Sequence, residues 1–279
     1  MAYLQVDFYS QNLMRSISCA IILPSDKTYL KDKPAIEAPF KTLYLLHGVM
    51  DNYLSWNSHT RIQMLANLYN IAVVMPSGDN KFYADSAYTG DNYGKLVGEE
   101  LVDFTRNSFN LSRKQADTYI GGYSMGGYGA MITALRYPDT FSKVISLSGC
   151  FPNEMILNLE ETDNMFLFFT KKQIETIYGV TNYQDIINKN TDHDYMARNL
   201  VAKGHNLPEI FLAVGTEDFL YENNVHYYKL LKELGYPITW YTKSGDHDWS
   251  FWDQAIEDGL KWLGLEISDK FVPGGKLVK

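Results

Sequence analysis

Cysteine is nearly absent. Two thiols in 279 residues, Cys19 and Cys150, cannot build a disulfide framework. No apolar stretch reaches the ~18 residues that a membrane-spanning helix needs. Positive charge is also short: 25 Lys and Arg stand against 33 Asp and Glu, a net charge of −8, which argues against nucleic acid and anionic membranes as partners. The opening Met1-Ala2-Tyr3-Leu4-Gln5-Val6-Asp7 has no basic segment followed by an apolar one, and reads as mature protein. Internal repeats and low-complexity tracts are missing too. These absences leave a soluble, cytoplasmic globular protein as the expectation. What the chain does have is apolar residues, 46% of it, and aromatics, 14% of it with 21 tyrosines among them. That suffices for the core of one large α/β domain spanning 1–279.

The chain is organised around Gly121-Gly122-Tyr123-Ser124-Met125-Gly126-Gly127-Tyr128-Gly129-Ala130. Before it, Asp117 to Ile120 has the composition of a buried strand; after it, Met131 to Leu135 reads as helix, closed by Pro138. A strand turning sharply into a helix around Gly-x-Ser-x-Gly is the nucleophile elbow of α/β-hydrolases. The glycines let backbone pass close to a strained serine, and the helix start offers the Met125 N–H to a developing oxyanion. Ser124 is therefore the candidate nucleophile.

In chain order, strands are expected at Ser16–Leu23, Thr42–His47, Ile71–Met75, Lys143–Leu147, Glu209–Val214 and Ile238–Thr242. Between them lie helices near 60–70, 96–107, 223–234 and 251–263, and a loop is expected at 25–39. Alternation of this kind implies a doubly wound, mainly parallel sheet. Residues 77–94 carry Tyr83, Tyr88 and Tyr93 among glycines and aspartates and read as loop. Residues 151–205 break the rhythm. They read as a cap-like insertion over the active-site edge, with short helices at 172–178 and 183–189 and an apolar run at Phe166-Leu167-Phe168-Phe169.

In this fold the acid and base follow the nucleophile, at the carboxyl ends of later strands. Gly215-Thr216-Glu217-Asp218 and Gly245-Asp246-His247-Asp248-Trp249 occupy those places. Asp218 is the candidate acid, with Glu217 as its competitor, and His247 is the candidate base. A second oxyanion donor belongs after an early strand, where His47-Gly48-Val49 offers the Val49 N–H and His47 a brace. Candidate substrate-binding residues are His47, Gly48, Tyr83, Tyr88, Tyr123 and Trp249. His59, His205 and His226 have no companions and read as surface or packing residues. Asp192-His193-Asp194 and Asp246-His247-Asp248 lack a second histidine at ligand spacing, so no metal is expected.

These motifs together resemble the esterase D family. His47-Gly48 after a Leu-rich strand, residues 122–130, Gly-Thr-Glu-Asp at 215–218 and His-Asp-Trp at 247–249 carry the likeness. So do Phe8-Tyr9-Ser10, Leu13, Arg15, Ile21-Ile22-Leu23-Pro24 and Glu99-Glu100-Leu101. It is greatest to bacterial tributyrin esterases and runs from about residue 5 to 265. The resemblance implies a carboxylesterase for short-chain acyl esters, using Ser124, Asp218 and His247 without a cofactor. Related members are S-formylglutathione hydrolases, feruloyl and acetyl-xylan esterases, and mycolyltransferases, so an acyltransferase on the same triad is the alternative. A small-molecule ester is the expected partner; a homo-oligomer is compatible with the sequence. The tail from Phe271 to Lys279 lies outside the shared pattern.

Overall fold

The computed structural model describes residues 1–25, 39–158, 160, 164–165, 169–186 and 191–267. Eight strands form one sheet: β1 (Ala2–Ser10), β2 (Arg15–Leu23), β3 (Lys41–Leu46), β4 (Ile71–Pro76), β5 (Thr118–Tyr123), β6 (Lys143–Leu147), β9 (Glu209–Gly215) and β10 (Ile238–Lys243). A separate pair, β7 (Asn164–Met165) and β8 (Phe169–Thr170), lies between β6 and β9. The spatial order is β1-β2-β4-β3-β5-β6-β9-β10. Pairing is parallel from β4 through β10, whereas β2 is antiparallel to both its neighbours. The chain thus has the α/β-hydrolase fold, with β5 near the middle of the sheet.

Residues of β4 and β5 are buried throughout, as their continuous apolar composition requires in a sheet covered on both faces. One apolar layer joins the sheet to the helix Met125–Arg136, the helical run 93–108 and the segment after β6; the other joins it to Ile62–Leu68 and Trp249–Trp262.

Strand β1 is additional to the sequence expectation. Its alternation, with Gln5, Asp7 and Tyr9 exposed and Leu4, Val6 and Phe8 packed inward, is the period of a half-buried strand. Its turn into β2 is held by Glu100, which accepts from Ser10 Oγ at 2.6 Å, Gln11 N at 2.6 Å and Asn12 Nδ2 at 3.0 Å. Glu100 reaches that turn from a π-helical stretch, Leu96–Glu100, within the run expected as plain α-helix.

Between β6 and β9 the chain forms helices Asn153–Leu157, Lys171–Tyr178 and His193–Ala202, and a 3₁₀ turn Tyr183–Ile186. The helix at 171–178 agrees with expectation. The one expected at 183–189 is only a 3₁₀ turn to Ile186, and 187–189 lie outside the described residues. His193–Ala202 was not anticipated, although His193, Met196, Ala197 and Leu200 bury one helical face behind the Asp192 cap. Tyrosine hydroxyls tie this segment down: Tyr128 donates to Thr191 O at 2.8 Å and Tyr236 to Ala197 O at 2.9 Å. Phe169 packs on Phe82, their centroids 5.7 Å apart. Phe166, Phe168, most of the loop expected at 25–39 and the tail from Phe271 lie outside the described residues.

Candidate active site

Strand β5 ends at Tyr123, and Ser124 takes φ 54° and ψ −121° before the helix Met125–Arg136 begins. A non-glycine residue seldom adopts that backbone, and here its surroundings impose it. The Ser124 N–H donates to Leu147 O at 2.9 Å, while its carbonyl accepts from Tyr128 N and Cys150 N, each at 3.1 Å. Glycine is required on both sides. A Cβ on Gly126 would lie 2.5 Å from Leu46 O and 2.7 Å from His47 O, and one on Gly122 would strike Gly126 and sit 2.8 Å from Leu46 O.

Ser124 Oγ lies 3.0 Å from His247 Nε2. On the far side of the ring, Nδ1 is 2.9 Å and 3.1 Å from the two Asp218 oxygens. Asp218 follows β9 and His247 follows β10, so the sheet's carboxyl edge brings the two together with Ser124. The Asp218 side chain is fully buried, and its Oδ1 also accepts the Leu220 N–H at 2.8 Å. Burial opposes ionisation of this carboxyl. The bonds from His247, the imidazole's charge, the Ser148 hydroxyl and the Leu220 amide outweigh it and hold the acid below the usual aspartate range. Ser148 in turn accepts the Trp252 indole N–H at 3.1 Å. Glu217 does not reach His247; it is exposed and accepts the Gly245 N–H at 2.5 Å, so it holds the loop after β10.

The loop after β3 is fixed by buried side chains. His47 Nε2 lies 2.8 Å from the Gly78 N–H, which makes it an acceptor. The proton must then sit on Nδ1, which donates to Gly48 O at 2.7 Å. Burial pushes the His47 pKa down and keeps the ring neutral. In a trans peptide, C=O and N–H point opposite ways, so holding Gly48 O towards His47 turns the Val49 N–H away from it. The Tyr83 hydroxyl donates to His47 O at 3.0 Å. The Tyr123 hydroxyl donates to Asp51 and accepts from the Gly48 amide.

These placements change the reading of the candidate substrate-binding residues. His47, Tyr83 and Tyr123 are buried and brace the loop from beneath, because their polar ends are engaged by backbone or by Asp51. Gly48 is buried too, its missing side chain making room for the Tyr123 ring. Tyr88 is exposed. Trp249 is half-buried, stacked on His59 at 4.8 Å and packed on Tyr123 at 4.6 Å. Three side chains beside the triad fall outside the sequence expectation: Ser148 and Trp252, both buried, and Phe219 at the surface. Ser148 did carry a signal, since it directly follows a central strand. His193, the other suspected ligand, is buried among Tyr128, Phe151 and Tyr227, and burial pushes its pKa down to about 3. Among the described residues no group of three potential metal ligands occurs.

A strained serine at a strand-to-helix turn, linked through histidine to a buried carboxylate on the α/β-hydrolase fold, defines a serine hydrolase. The comparisons narrow this class. The family "Putative esterase" matches residues 10–263, and the chain belongs to that family of carboxylic ester hydrolases. An acetyl esterase of Caldicellulosiruptor saccharolyticus is 34% identical over 270 residues, covering 96% of this chain and 100% of that protein. Two Staphylococcus aureus structures are each 31% identical with a TM-score of 0.80. One is FphF, a fluorophosphonate-binding serine hydrolase solved with substrate bound, covering 96% of this chain and 99% of that one. The other is an S-formylglutathione hydrolase, FrmB, covering 94% and 98%.

Proposed function

We propose that the protein hydrolyses short-chain acyl esters by two-step acyl transfer, with Ser124 as nucleophile, His247 as base and then acid, and Asp218 as the group that orients the imidazole. The observation carrying this reading is the unbroken hydrogen-bonded path from Ser124 through His247 to Asp218. His247 Nε2 takes the Ser124 proton as Oγ attacks the ester carbonyl. The amides of Val49 and Met125 receive the oxyanion. The carbon–alkoxy bond breaks, the Nε2 proton passes to the departing alkoxy oxygen, and water repeats the sequence to release the acid. Residues 151–205 act as a cap on this edge of one domain. A cytoplasmic location agrees with the two buried, unpaired thiols.

The acetyl esterase relative and the likeness to tributyrin esterases support acetyl to butyryl groups as substrates. Ser124→Ala should lower turnover by several orders of magnitude, since triad members act as a unit, and should abolish fluorophosphonate labelling. Near wild-type hydrolysis by that variant would refute the assignment. Across p-nitrophenyl esters, kcat/KM should peak between acetyl and butyryl, and a steady rise to octanoyl would exclude the short-chain preference.

A further inference from the structure

Phe219 immediately follows the catalytic acid, yet its side chain is 62% exposed and its ring centroid lies only 4.6 Å from that of the His247 imidazole. Trp252, which is buried, stands edge-on to the same imidazole at 4.9 Å. Phe219 is thus the aromatic surface beside His247 that an incoming molecule can cover. On the other side of Ser124 in the sheet order, Met50 is similarly exposed, at 68%, one residue beyond the Val49 amide.

The chemistry assigns the two sides different halves of an ester. The carbonyl oxygen must point at the amides after β3 and at the helix start. The alkoxy oxygen must lie within hydrogen-bond reach of His247 Nε2, because that nitrogen protonates it as it departs. The first atoms beyond that oxygen therefore pass the imidazole and meet Phe219. The exposed charged side chains of the loops after β9 and β10 are all acidic: Glu217 accepts from Gly245 N, Asp246 from His247 N at 2.7 Å, and Asp248 from Phe251 N at 3.0 Å. Lys243, just upstream, is paired with Asp258 at 3.0 Å. The departing group meets one aromatic face and a rim of negative charge.

We infer that Phe219 forms the leaving-group wall and selects esters of neutral, apolar alcohols over anionic leaving groups such as the thiol of glutathione. This rests on the proposed roles of Ser124 and His247, and it separates the acetyl-ester from the S-formylglutathione alternative at the same triad. The wall acts on acylation alone. Once the alcohol has left, every acetyl ester gives the same acyl-enzyme, so kcat limited by deacylation is common to all of them.

The test uses the full chain and Phe219→Ala with methyl acetate, butyl acetate, phenyl acetate, 4-acetoxybenzoate and S-acetylglutathione. Taking the ratio of variant to wild-type kcat/KM for each substrate cancels differences in intrinsic reactivity. The phenyl and butyl ratios should fall roughly threefold to tenfold below the methyl ratio, the size of one aromatic contact. Phe219→Leu should recover the butyl ratio more than the phenyl one. Wild-type kcat/KM should be lower for 4-acetoxybenzoate than for phenyl acetate despite its better leaving group, and salt should narrow that gap. An equal loss on all five substrates would make Phe219 a mere support of the triad and overturn the inference. So would faster turnover of the two anionic substrates, or a change in acyl-length preference with the alcohol held constant. Absence of esterase activity in the wild type would instead refute the underlying reading, and Ser124→Ala provides that separate control.

Discussion

Two donors reach the Asp218 carboxylate, the His247 ring and the Leu220 amide, and the nearby Ser148 hydroxyl lowers its pKa further. Together they hold it below the ordinary aspartate range, while burial pushes the His47 pKa down. Asp218→Asn should cost far more than Glu217→Gln, because only Asp218 reaches the imidazole.

At the scale of elements, the C-terminal helix Trp249–Trp262 and β10 are joined by Asp258, which accepts from Tyr241 at 2.8 Å, Lys243 at 3.0 Å and Lys261 at 2.9 Å. Burial works against its charge, but those donors bring its pKa down to about 2. A carboxyl depressed on folding stabilises the native state above its unfolded value, near ~3.9, and loses that contribution as pH falls through the folded value. Asp258→Asn should therefore lower Tm at pH 7, with the difference shrinking between about pH 4 and 2. The side chain is partly exposed, so solvent screening keeps the effect to about 1 kcal/mol or less. A Tm difference independent of pH would assign the loss to packing. The same elements show what sequence conveys. The strands at 42–47, 71–75, 143–147 and 209–214 were legible because parallel strands buried on both faces must be nearly continuous apolar runs. β1 alternates with polar residues at the sheet edge, and that alternation is a weaker signal than a continuous apolar run.

For the molecule as a whole, the hydrogen-bonded set of Ser124, His247 and Asp218 was legible because its members each follow a strand, β5, β10 and β9, with glycines that the elbow geometry demands. Ser148, Trp252 and Phe219 were not, since their importance comes from neighbours in space that spacing along the chain does not reveal. The tyrosines near the site differ from expectation for a related reason: aromatic rings of Tyr83 and Tyr123 suggest a binding surface, yet the hydroxyl of Tyr83 is taken by His47 O and that of Tyr123 by Asp51. The described residues of 151–205 are fastened to the elbow helix through the bond from Tyr128 to Thr191 O, so they should unfold with the sheet. Denaturation followed by tryptophan emission, and by a Tyr195→Trp probe inside that segment, should give coincident transitions; two separate midpoints would mark an independent unit. Tyr128→Phe leaves Thr191 O without its buried donor and should lower stability by about 1–3 kcal/mol.

All five tryptophans lie outside 151–205, at 56, 240, 249, 252 and 262, and three of them gather around Tyr123 next to His247. The Trp252 indole stands edge-on to the base at 4.9 Å. An excited indole gives up an electron readily to an imidazolium and much less so to a neutral imidazole. The protein thus carries its own optical indicator of the proton on His247. Its emission should dim as that proton arrives and brighten as it leaves, and a stopped-flow trace should register each transfer during acylation without any label.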